Sequence, residues 1–180
     1  MFNFKISTNI DTYKATKKLR RDKRVSEIEK LARGTVYVGF PESAKNDEGL
    51  TIAKYARWNN YGTFMHDENG NKTGSIPSRP FFTEGFFFQK YKEERARLAK
   101  RLLKQISNGK ISAGAAAEMM GIKAVSQVRD AISTGPWAPN APSTMARKLK
   151  KSKGKKANLI KPLIDTGDMI NAVTYKVDVE

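Results

Sequence analysis

The apolar positions of this chain form short alternating runs near its two ends and helical stripes in between. Phe2, Phe4 and Ile6 alternate with Asn3, Lys5 and Ser7, the period-two pattern of a strand with one covered face. A helix is predicted next, capped by Thr8, Asn9 or Asp11 and reaching about Arg33, with an apolar stripe only in its second half, at Val25, Ile28, Leu31 and Ala32. Val36, Val38 and Phe40 share one face of a second strand, which Pro41 stops. Ile52, Tyr55 and Ala56 are spaced for a short helix that exits through Asn59-Asn60-Tyr61-Gly62, since Asn and Gly tolerate the left-handed conformation that ends a helix. A polar loop is expected after it. Ile76-Pro77-Ser78-Arg79-Pro80 is then held extended, because the residue before each proline is pushed out of the helical region.

After Pro80 the spacing predicts a long amphipathic helix, with Phe88, Tyr91, Leu98, Leu102 and Ile106 on its inner face and Asn108-Gly109 as its left-handed cap. Ser112 is placed to cap a further helix, Ala113 to Ile132, alanine-rich and packed closely on a neighbour at Gly121. Ser133 to Asn140 reads as a proline-rich turn holding Trp137, Ser143 or Thr144 as the cap of a short helix through Leu149, and Asp165 or Thr166 as the cap of a single helical turn. Val173, Tyr175, Val177 and Val179 alternate with polar residues in a strand near the end. Three or four strands with helices between them, in no regular β-α-β alternation, predict an α+β fold: a small, mostly antiparallel sheet packed against long α-helices, in a single domain over residues 1–180. The aromatic stretch from Ala53 to Phe88 is expected to supply most of the core, because large rings bring the most apolar area.

That same stretch carries a resemblance. A short helix ending in N-x-Y-G-T (Asn59 to Thr63), followed by I-P-x-R-P-F-F (Ile76 to Phe82), resembles the neck and tail-completion proteins of tailed bacteriophages, minor virion proteins of the head-to-tail joint. A second block is similar to the same family: Trp137-Ala138-Pro139-Asn140 with Ser143, Thr144 and Lys148, then Lys161-Pro162-Leu163-Ile164-Asp165-Thr166-Gly167-Asp168-Met169. A V-x-V-G-F-P strand, Val36 to Pro41, makes a third match, and together the blocks span Gly34 to Val179 in the family's order.

The resemblance implies a non-enzymatic virion protein of the neck or proximal tail end, a homo-oligomeric ring that completes the tail and joins it to the head. Its partners would be further copies of itself and neighbouring neck, tail-terminator or tail-tube proteins, with non-specific contact with packaged DNA allowed. It would reside in the virion after assembly in the host bacterial cytoplasm. The interface candidates are Arg79, Trp58, Tyr61, Trp137, Asp165 and Thr166.

Charge adds a competing reading. The chain carries a net +16, with 10 basic against 4 acidic residues over 1–33 and 8 basic against none over 135–163. Most such runs are solvated helix faces; here they are also candidates for phosphate or an acidic partner. Lys150, Lys151, Lys153, Lys155 and Lys156, in a glycine-broken basic loop expected to be mobile at about 150–160, are the leading candidates for contact with DNA or an acidic partner. The alternative function is a basic nucleic-acid-binding protein of helix-turn-helix type, with a turn at Gly121 and Lys123, Gln127 and Arg129 as the polar candidates of its reading helix.

Reaction chemistry is hard to build from these residues. There is no cysteine, the single His66 lies among scattered carboxylates in a polar stretch, and neither a phosphate-cradling glycine loop nor a nucleophile-elbow or zinc-helix pattern occurs. Asp165-Thr166-Gly167 matches the aspartic-protease triplet but lacks a second carboxylate in a matched context. No catalytic residue, metal or cofactor is therefore expected. No apolar run approaches the ~20 residues needed to span a bilayer, so no membrane partner is expected either.

Overall fold

The computed structural model describes residues 23–46, 49–151 and 161–179. The predicted strand at Phe2 to Ile6, the caps at Thr8, Asn9 or Asp11, and Lys153, Lys155 and Lys156 lie outside the described residues. The fold is α+β: helices with two small antiparallel sheets of two strands each. The elements run α1 (Lys23–Arg33), β1 (Thr35–Gly39), α2 (Ile52–Tyr61), β2 (Thr63–His66), β3 (Lys72–Ile76), a 3-10 turn (Gly85–Phe87), α3 (Gln89–Ser107), α4 (Ala113–Thr134), α5 (Pro142–Lys151), α6 (Asp168–Asn171) and β4 (Thr174–Asp178).

They divide into two compact units, each assembled from separated segments. The first comprises Phe40–Phe88 and Gln127–Val173. Its core is a chain of rings: Phe40 meets Phe81 edge-on at 6.3 Å, Phe81 meets Phe82 edge-on at 6.4 Å, and Phe82 stacks on Phe86 at 6.2 Å. Edge-to-face and offset stacking are the arrangements that ring quadrupoles favour. Ile52, Ala56, Val128, Ile132, Leu163, Met169 and Val173 are also buried.

The second unit holds the described part of Phe2–Gly39, with Gln89–Ser126 and Thr174–Glu180. Here β1 pairs antiparallel with β4 in the register Thr35↔Asp178 to Gly39↔Thr174. α1 packs on α3. The Glu27 carboxylate of α1 accepts the Ala113 N–H at 2.7 Å, and Ser112 Oγ accepts that of Ala115 at 3.2 Å, so two otherwise orphaned donors at the start of α4 are satisfied. The stripe Tyr91, Leu102 and Ile106 is buried as its spacing predicts, and Gly109, at φ 69°, ends α3.

Several expectations need correction. The chain does not become helical after Pro80: Glu84 N and Gly85 N both bond to Pro80 O, and turns plus a 3-10 segment carry it to Gln89. Five phenylalanines in eight residues are used as a compact ring cluster, which a straight helix would have spread around its circumference. The expected polar loop after Gly62 is the β2–β3 hairpin, so the described residues form two sheets where one was expected. α5 opens at Pro142, whose fixed φ and missing N–H suit a first helical position, leaving Ser143 and Thr144 inside the first turn. α4 runs unbroken through Gly121 as its spacing predicts, and it is the helix-turn-helix alternative that loses its turn. Neither Asp165 nor Thr166 is the residue preceding α6; that place falls to Gly167 at φ 95°, where an L side chain would be strained.

Candidate assembly site

Asn59 and Asn60 lie in the last turn of α2, and both are buried. Gly62 follows with φ 76° and ψ 163°, a conformation open essentially to glycine, and a Cβ there would come within 3.0 Å of Ile76 O and Ser78 N. This reversal returns the chain past α2, where Ser78 Oγ donates to Asn60 O at 2.9 Å and Arg79 N donates to Asn59 O at 2.8 Å. Asn60 Oδ1 accepts the N–H of Phe82 at 2.9 Å and of Thr83 at 3.3 Å, which fixes the turn that starts the ring cluster.

The Arg79 side chain, 5% exposed, enters the centre of this arrangement. Its Nε donates to Ala138 O at 2.8 Å, one terminal nitrogen to Asn59 Oδ1 at 3.1 Å, and the other to Pro139 O at 3.1 Å and Asn140 Oδ1 at 3.4 Å. An arginine between two prolines beside aromatic clusters is expected to stack on a ring or pair with a carboxylate; here its bonds go to neutral carbonyl and amide oxygens. The segment Trp137 to Asn140 presents two backbone carbonyls to the guanidinium, and Pro139 restricts the direction in which they point. Burial pulls the Arg79 pKa below its ordinary value, which still leaves it charged at neutral pH.

Trp137 is half-buried and held by its own neighbours. Its Nε1–H donates to Ala131 O at 2.7 Å, its ring stacks on Phe88 at 6.0 Å, and it lies against Gly85 and Gly135, where added Cβ atoms would come within 2.9 Å and 2.2 Å of it. Phe88 covers the ring, and the missing side chains of the two glycines make the room for it. Lys148, on α5, is 6% exposed and donates to Lys161 O at 3.2 Å and, by a short bond, to Ile164 O. Burial pushes its pKa down, partly opposed by the Asp165 carboxylate. Tyr55 is raised mainly by burial, opposed by its bond with Asn59.

The other candidates spread outward. Trp58 is half-buried with Lys54 Nζ 5.2 Å from its ring centroid, and Tyr61 is 57% exposed at the base of the hairpin. Asp165 and Thr166 are exposed, and Thr166 Oγ1 donates a short bond to Asp168 Oδ2. Lys150 is exposed near the end of α5, which Lys151 closes. Sequence reasoning did not single out Asn59, Asn60 and Lys148 as site residues. Of the helix-turn-helix candidates, Arg129 is engaged with the carbonyls of Ile170, Asn171 and Val173, Lys123 pairs with Glu94 at 2.6 Å, and Gln127 is buried. Among the described residues no group of three or more His, Asp or Glu is placed to hold a metal ion, and no helix is long and apolar enough to cross a membrane.

Fold and site together define an α+β chain whose polar centre holds backbone and side chains in place. No family model, curated protein or solved structure matches the chain.

Proposed function

We propose that this protein is a non-enzymatic virion protein of a tailed bacteriophage, a homo-oligomeric ring of the neck or proximal tail end that completes the tail and joins it to the head. One observation carries the reading. Apart from Val36 to Gly39, the sequence blocks that bear the resemblance meet in one unit: Phe40 contacts Phe81 and Phe82, Asn59 and Asn60 bind the Ser78 to Thr83 segment, Arg79 joins it to Ala138, Pro139 and Asn140, and Lys148 ties α5 to the Lys161 to Ile164 segment. Chance matches at separated places in a chain have no physical reason to converge. The helix-turn-helix reading is less well supported, because α4 has no turn at Gly121 and its polar candidates are engaged or buried.

The test is a phage encoding this chain with Tyr61→Ala and Asp165→Ala, both exposed positions, with the folding of the variant chain checked by circular dichroism. Such a phage is expected to accumulate DNA-filled heads and separate tails, and antibody against the chain should label the head-to-tail joint of wild-type particles. Label elsewhere, or normal particle yield with altered transcription or replication, would defeat the neck reading.

A further inference from the structure

Between Tyr61 and Ser78 no residue is buried, and from Phe64 to Thr73 every residue is exposed. The β2–β3 hairpin is nevertheless well specified. Its register runs Thr63↔Ile76, Phe64↔Ser75 and Met65↔Gly74, with an irregularity before His66. Asp67 Oδ1 accepts the N–H groups of Asn69 at 3.0 Å and Asn71 at 2.8 Å, and Gly70 takes φ 80° at the tip. A two-stranded ribbon without a covered face is marginal in water. This one also carries Phe64, 59% exposed, and Met65, 49% exposed, on opposite faces, with Lys72 Nζ 3.5 Å above the Phe64 ring. Beyond them, Asp67 and Glu68 form an acidic tip in a chain of net charge +16.

A different surface of the chain has the complementary character. On α4, Met119 and Ile122, 42% and 59% exposed, stand one helical turn apart. The Lys123–Glu94 ion pair ties that level of α4 to α3. After Glu94, α3 has no carboxylate and exposes Arg97, Lys100, Arg101 and Lys104. We propose that the β2–β3 hairpin of one copy docks on the Met119–Ile122 face of a second copy, with Phe64 against the apolar pair and Asp67 and Glu68 against the basic flank of α3. The two surfaces differ, so the contact is heterologous, the kind that passes from copy to copy and closes into a ring when the rotation permits. The turn bonds at Asp67 order the arm before it binds, which lowers the entropy lost on docking. The inference deepens the ring reading by naming a surface for it.

The absence of cysteine makes a direct test available. Ser75→Cys and Ser126→Cys chains, which keep Phe64 and Ile122 in place, mixed under mild oxidation, should join in a mixed disulfide at least about ten-fold faster than a Glu42→Cys and Ser126→Cys mixture, because docking raises the local thiol concentration. Adding Glu68→Lys to the hairpin chain should slow the reaction, and Arg101→Glu in its partner should restore it. A mixed reaction no faster than the control, or one in which Ser75→Cys chains pair mainly with each other, overturns the contact. A chain found at the phage neck without this cross-link would remove the contact and keep the ring reading; a cross-linking chain missing from virions would do the reverse.

Discussion

Arg79 holds a permanent positive charge among four uncharged oxygen acceptors drawn from α2 and from the Trp137 to Asn140 segment. Arg79→Ala would strand those acceptors, and bonds to charged groups contribute about 1.5–3 kcal/mol each, so a loss of at least ~3 kcal/mol is expected in urea titration. Arg79→Lys should rescue little, since one ammonium cannot reproduce a planar fork. Arg97→Ala, on an exposed face with a 3.9 Å pair to Glu93, should change stability by less than about 0.5 kcal/mol. Lys148 adds a pH dependence. Its folded pKa lies below the unfolded value near ~10.4, so between the two the unfolded chain binds more protons and stability from this group rises with pH. Relative to Lys148→Met, wild type should therefore gain stability from pH 7 towards ~10.4, read by urea titrations along that range. That Arg79 lies in an extended segment was legible from its prolines; its acceptors were not, because two are backbone oxygens and all four come from distant positions in the chain.

Gly121 shows where helical pattern and tertiary contact coincide. The sequence reading placed it at a close contact, and the neighbour is Tyr175 of β4, whose Cδ2 would lie 2.2 Å from an added Cβ and whose hydroxyl bonds to Glu118. Gly121→Ala would gain ~1 kcal/mol of helix propensity, but overpacking costs about 1–3 kcal/mol. A net fall in melting temperature is expected, and a rise would show that Tyr175 moves aside freely. β1, α2, α4 and β4 were readable because each has an apolar period of its own. The hairpin was missed although Asp67-Glu68-Asn69-Gly70 is a turn signal between alternating residues: its strands have no buried face, so the periodicity that marks a strand was faint. The start of α3 was missed for the opposite reason, since phenylalanines dense enough to suit any helix face instead packed on one another.

For the molecule as a whole, neither unit is a continuous stretch of chain, and α4 supplies Ala113 to Ser126 to one and Gln127 to Thr134 to the other. Composition suggested where charge lies but not this division, because contacts between distant segments leave no local trace in sequence. The antiparallel pairing of Thr35 with Asp178 has a consequence for biosynthesis. A ribosome emits β4 well over a hundred residues after β1, and at about 5–20 residues per second the wait is on the order of ten seconds. During that interval β1 offers an open edge, the surface on which nascent chains aggregate or recruit chaperones. Nascent chains stalled before Thr174 should therefore be held by chaperones or precipitate on release, whereas those stalled with β4 clear of the exit tunnel should fold on the ribosome and resist protease.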